Sequence, residues 1–201
     1  MLHSSLTVLI TAVNKIKDNS LNDRLFRELC KENDEEFQRL IFHTEVRWLS
    51  KGYCLRRFSS LFETVTEFLR TVDSDLYDKV YQRKIDIAYL TDFFDKINEV
   101  QTKLQGTEVT LVESKSLISS FLAKLLLFAQ NLARKELCNF PRLRGLELAD
   151  EDNMCFCNHL KEVHSNMKER FTDLLELKVP EWFYAHLTLI SHVWIQISRK
   201  F

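Results

Sequence analysis

Cys155-x-Cys157-x-His159, with His164 a turn and more beyond, is the densest run of metal-ligating side chains in the chain. Zinc sites pair ligands at Cys-x₂₋₄-Cys spacing and add a second pair. Here the residues fall in a helical pattern. Cys155 and His159 share a face at i and i+4, while Cys157 points elsewhere, and two ligands are missing. The run therefore reads as an amphipathic helix with partly buried thiols, and no metal is expected. Cys54 and His43 could form a nucleophile and base, but nothing in the sequence orients them and no glycine loop accompanies them. No Ser-His-Asp signature, phosphate loop or dinucleotide glycine motif occurs. No cofactor is expected.

The elements that must carry these residues are helices. Leu6, Leu9, Ile10, Val13 and Ile16 recur at steps of three and four, which places them on one helical face. Asn19 or Ser20 caps a second helix with Leu21, Leu25, Phe26 and Leu29 inward. Leu40, Ile41 and Phe42 form a short apolar run that fits a buried strand. Helical spacing resumes at Trp48 and continues through Leu55, Phe58, Phe62, Val65, Phe68 and Leu69, with Gly52 weakening its first turn. Asp73 or Ser74 caps a long element that runs to Gly106, a natural C-terminal stop. The stretch from Glu113 to Leu137 is apolar over more than half its circumference, so it is expected at the centre of a bundle. Pro141 marks a connector. Asp150–Leu177 and Glu181–Ser198 read as two further helices separated by Pro180.

Bulk properties bound the class. A chain of 201 residues can bury a substantial core, and 45% hydrophobic with 28% charged residues is an ordinary globular balance. The 15 Phe predict aromatic packing. With 28 basic and 29 acidic residues, no global field attracts nucleic acid or a membrane surface, so any DNA contact needs a local patch. Five irregularly spaced Cys suit a reducing compartment rather than a disulfide framework. No stretch reaches the ~18 uncharged residues of a membrane span, and the N-terminus lacks the basic start of a signal peptide. No membrane association is expected.

Three segments carry a resemblance. The first is Val13-Asn14-Lys15-Ile16 followed by Leu21-Asn22-Asp23-Arg24-Leu25-Phe26-Arg27-Glu28-Leu29-Cys30. The second is His43-Thr44-Glu45-Val46-Arg47-Trp48-Leu49-Ser50-Lys51-Gly52, continuing to Leu55, Arg57 and Phe58. The third is Ile87-Ala88-Tyr89-Leu90-Thr91-Asp92-Phe93-Phe94, then Ile97-Asn98 and Leu104-Gln105-Gly106. In this order they resemble animal proteins derived from hAT transposases, of the zinc-finger BED or SCAN domain-containing group. The resemblance runs through the chain, more loosely after Leu146, and the second segment is its most specific part.

The resemblance implies a mainly α, multi-helix, insertion-type domain over 47–201. It implies a small remnant of a ribonuclease-H-like core over 1–46. Full hAT transposases hold two divalent metals with two Asp and one Glu. By likeness, this chain is expected to begin after both Asp positions and stop before the Glu, and none of Asp18, Asp23, Asp92 or Asp150 falls in a matching motif. No catalysis is expected. In the family, the residue matching Trp48 stacks on a base flipped from DNA, a task for which an indole suits every base. Arg47 would pair with a phosphate, and Lys51, Arg56 and Arg57 extend the positive cluster. The competing reading makes Trp48 a core anchor and Arg47 a structural ion pair. A non-catalytic binding protein with weak DNA binding, a piece of an active transposase completed elsewhere, and a helical scaffold for protein partners all remain open. Nuclear or other intracellular localisation follows from the likeness alone, and the oligomeric state is undefined.

Overall fold

The computed structural model describes residues 2–42, 48–106 and 109–178, with backbone alone at Trp48 and Leu49. These residues form nine α-helices and one 3-10 turn: α1 (Leu2–Lys17), α2 (Ser20–Glu32), α3 (Trp48–Ser60), α4 (Phe62–Val72), α5 (Ser74–Tyr81), α6 (Lys84–Leu104), α7 (Leu111–Ala133), the turn Pro141–Leu143, α8 (Asp150–Arg170) and α9 (Thr172–Glu176). The expected segment Glu181–Ser198 lies outside the described residues.

Local signals set the helix starts. Asn19 accepts the N–H groups of Leu21 and Asn22 at the start of α2, and Asp73 accepts that of Leu76 at the start of α5. Thr110 and Glu113 form a reciprocal capping box at α7, which satisfies two donors that the helix cannot. The α7 helix ends sooner than its apolar pattern suggests, because Lys135 turns left-handed at φ 61°.

Several expectations are corrected, among them the inward placing of Leu21 and Leu25 on α2, which are 52% and 46% exposed. The run Leu40-Ile41-Phe42 is not a strand, and no strand occurs among the described residues. A strand needs a neighbour to complete its ladder. Here side chains take the carbonyls instead: Lys17 Nζ donates to Leu40 O at 3.1 Å, and Arg57 donates to Arg39 O at 3.0 Å. The helix from Trp48 breaks at Leu61, whose N–H is shared between the carbonyls of Arg57 and Phe58, each at 3.2 Å. The element from Asp73 to Gly106 breaks at Gln82–Arg83, separating α5 from α6. The helix expected over Asp150–Leu177 breaks at Phe171.

The central helix is α6, not α7. Every residue from Asp86 to Phe94 is buried, whereas α7 leaves Leu126 and Leu127 exposed at 40% and 50%. The α1, α3 and α7 helices pack against α6, α5 lies against α1 and α4, α2 lies against α1 and α4, and α7 and α8 form a closely packed pair. The joint between α6 and α8 is aromatic. Tyr89 stacks on Phe156 with ring centroids 4.0 Å apart and 3° between planes, and Phe140 stacks on Tyr89 at 5.2 Å. The α7 helix is long and apolar enough to cross a membrane by length and composition. Its buried face, Ile118, Phe121, Leu122, Leu125 and Phe128, is used within the helical body.

Gly52 has a positive role on α3. A Cβ built there would lie 2.1 Å from Asn98 Nδ2 on α6. The missing side chain is what lets the two helices approach so closely.

Candidate nucleic-acid interface

The basic residues singled out on α3 point to different surroundings. Arg47 and the side chain of Trp48 lie outside the described residues. Lys51 is half-buried on the first turns of α3. Arg56 reaches across to α6, where its Nη2 and Nε lie 2.7 and 3.0 Å from Asp95 Oδ1. Arg57 turns the other way. Its guanidinium carbon sits 3.6 Å from the centroid of the Phe37 ring, a stacked cation–π geometry. Arg56 and Arg57 are adjacent in sequence, and the helix turns them by about 100° toward different partners.

Asp95 also takes Arg142 Nη1 at 3.0 Å, and the same nitrogen lies 2.5 Å from Asp92 Oδ1. The backbone N–H of Arg142 donates to Asp92 Oδ2 at 2.9 Å. Arg56, Asp95, Arg142 and Asp92 thus form one chain of charges that ties α3 and the 3-10 turn to α6. Burial pushes the Asp92 carboxyl up, and the Arg142 hydrogen bonds and charge oppose that rise. Nothing in the sequence marks Arg142, because its partners are 47 and 50 residues away.

Between these groups lies an open cleft of about 610 Å³, with Phe37, Tyr53, Arg56, Arg57, Lys84 and Arg142 in its lining. Tyr53 is 50% exposed. Glu63 pairs with Lys84 at 2.8 Å, and Glu35 accepts the Thr64 hydroxyl. The lining thus combines exposed Tyr53 and half-buried Phe37 with four cations and the carboxylates Glu35 and Glu63. Close by, Lys17 Nζ lies 4.6 Å from the centroid of Phe42. Phe37 and Tyr53 escaped the sequence reading because neither belongs to an apolar stripe or a motif.

The residues weighed for metal or nucleophile chemistry diverge. Cys157 is buried and directs its Sγ to Ala129 O at 3.4 Å. His159 Nδ1 lies 2.8 Å from the Tyr89 hydroxyl, and burial pulls its imidazole below the ordinary histidine range. Cys155 is only partly buried. Among the described residues no group of three His, Cys, Asp or Glu is disposed to hold a metal. Burial raises the Cys54 thiol to about 11, which removes the thiolate that a nucleophile needs. His43 lies outside the described residues. Three of the four aspartates considered above have cationic partners: Asp23 with Arg27, Asp92 with Arg142, and Asp150 with Lys135.

The described residues form a helical domain with a mixed basic and aromatic cleft. A model of the FAM200/GTF2IRD2 helical domain matches residues 2–133, and the chain belongs to that family. It is 30% identical over 187 residues to general transcription factor II-I repeat domain-containing protein 2 of Bos taurus, which covers 92% of this chain and 19% of that protein. The Mus musculus protein of the same name is 29% identical over 186 residues, with the same coverage of both chains. The chain therefore spans about a fifth of the length of these relatives. No solved structure matches.

Proposed function

We propose that this chain is a non-catalytic, transposase-derived binding module of hAT descent, and that the surface around the start of α3 contacts DNA. The observation that carries the reading is the cleft beside α3, where the Arg57 guanidinium sits over the Phe37 ring and Tyr53 is exposed. Trp48 opens the same helix. The three sequence segments and the family match support the descent. The word transcription in the names of the relatives favours a nuclear setting for this chain too. The division between a core remnant at 1–46 and an insertion-type domain at 47–201 is kept as a statement about ancestry. In packing terms, α1 and α2 lie against α4, α5 and α6.

In this reading Arg47, Lys51 and Arg57 neutralise phosphates, Trp48 and Tyr53 offer stacking faces, and Arg56 mainly holds α3 to α6. The competing reading, a scaffold for protein partners, draws on the exposed leucines of α7. Fluorescence anisotropy with hairpin-ended and plain duplex DNA at two salt concentrations separates the two, after circular dichroism has established folding. A working site binds the hairpin in preference and in a salt-sensitive way. Trp48→Ala then removes about 1–3 kcal/mol of stacking, roughly five- to hundred-fold in affinity. A folded protein that binds neither DNA ends the DNA reading and favours the scaffold.

A further inference from the structure

The Phe37–Arg57 stack is a ridge, and a second groove of about 490 Å³ lies on its far side. Arg24, Arg27 and Lys31 line it from α2, Arg39 from the segment that follows, and Arg57 from α3. Residues 24, 27 and 31 are spaced i, i+3 and i+7, so they form one stripe along the helix. The lining holds these five cations against two carboxylates, Glu28 and Glu36. This is a local positive excess on a chain whose formal charge is −1.

The five cations are not equally engaged. Arg27 pairs with Asp23 on its own helix, and Lys31 pairs with Glu28 at 3.1 Å. Arg57 is committed to Phe37 and to the Arg39 carbonyl. Arg24 and Arg39 are exposed, and neither has a carboxylate partner among the described residues. Like charges gathered in one groove repel, and Arg24 and Arg39 bring no ion pair among the described residues to offset that repulsion. An anion in the groove relieves that repulsion and gives both guanidiniums a partner.

We propose that this groove is a phosphate site for a nucleic-acid backbone, contacted through Arg24 and Arg39. The proposal deepens the DNA reading above and rests on it. A polyanion fits better than a single free phosphate for two reasons. The groove is open and its donors sit on long exposed side chains, so it does not enclose an ion. It also shares the Phe37–Arg57 ridge with the α3 cleft, so a backbone lying on Arg24 and Arg39 continues past Arg57 toward that cleft. Such contacts hold a backbone in register without reading its sequence.

The test is duplex and hairpin binding by the full chain over a salt series. It compares wild type, Arg24→Ala/Arg39→Ala, and Lys168→Ala/Arg170→Ala, a control that removes the same charge from exposed positions on α8. The groove variant is expected to lose roughly ten-fold affinity for both DNAs. Its slope of log affinity against log salt should fall by about 1.8, two phosphate contacts at 0.9 each, while the control changes little. If the groove variant behaves like the control while wild type binds, the groove proposal falls and Trp48 still decides the hairpin reading. If duplex binding depends on the groove but shows no hairpin preference and no effect of Trp48→Ala, the hairpin reading falls and the groove stands. Wild type that binds neither DNA overturns both. Poly-glutamate that displaces duplex as well as polyphosphate does, charge for charge, overturns the assignment to nucleic acid.

Discussion

Arg142 shows how one side chain can hold distant parts of a chain together. Its guanidinium bridges Asp92 and Asp95 on α6, and Asp95 passes the link to Arg56 on α3. Asp92 is almost wholly buried, with 2% of its side chain exposed, whereas Arg142 keeps 32%. Arg142→Ala should therefore leave a buried carboxylate with one backbone N–H and the charge of Lys96 to answer it. Removing one partner of a fully buried pair costs about 3–5 kcal/mol; with the arginine partly solvated, about 2–4 kcal/mol is expected. The sign with pH follows from the direction of the Asp92 shift. A carboxyl raised in the folded state has its most favourable contribution below its unfolded pKa and loses it as pH rises through the folded pKa. Without Arg142 the folded pKa rises further. The loss in urea unfolding should then be largest near neutrality and shrink as pH falls into the ordinary carboxylate range. A loss that stays constant with pH would mean that Arg142 acts through packing alone.

At the scale of elements, the α3–α6 contact is set by an absent side chain. In most helices Gly→Ala stabilises by up to about 1 kcal/mol. At Gly52 the new methyl would meet the Asn98 amide, and α6 is held on its other sides by α1, α7 and the 3-10 turn. Gly52→Ala is expected to destabilise by about 1–3 kcal/mol, the range for overpacking, measured as a lower thermal midpoint. Trp48 and Lys51 lie on the same helix, so DNA affinity should fall with it even though no cation has changed. The helix starts here were legible in the sequence, because Asn19 and Asp73 act on N–H groups two or three residues away. The breaks at Leu61, Gln82–Arg83 and Phe171 were not. Each side of each break keeps good helical spacing, and the chain turns there to aim the two pieces at different neighbours.

For the whole molecule, the aromatic core gives a measurable unit of cooperativity. Tyr89, Phe140 and Phe156 are fully buried at the meeting of α6, the 3-10 turn and α8. Cys30 and Cys54 lie in the same continuous core, packed from α2 and α3. Burial holds both of their thiols at about 11. A thiol reagent at neutral pH should label exposed Cys138 promptly and Cys155 more slowly. Cys30 and Cys54 should react only at the rate of global opening. If Cys54 reacts early while Cys30 stays protected, α3 opens separately from the rest, and the cleft beside it becomes a mobile surface.

Periodicity alone determined that this chain is helical and which face of α1 turns inward, because 3.6-residue spacing is a property of the chain itself. The capping residues and the charge of the Arg47–Arg57 segment were equally local. Three ordered segments were enough to point to a transposase lineage. The tertiary structure decided which helix is central. The more apolar α7 keeps leucines in solvent, while α6 buries Asp86 and Asp92 because Ser5 and Arg142 on other elements satisfy them. It also decided that adjacent Arg56 and Arg57 serve different ends, and that Arg24 and Arg39 meet across one groove. Hydrophobic spacing records how much surface a helix can bury, whereas long-range packing determines which surface is covered and which charge finds a partner.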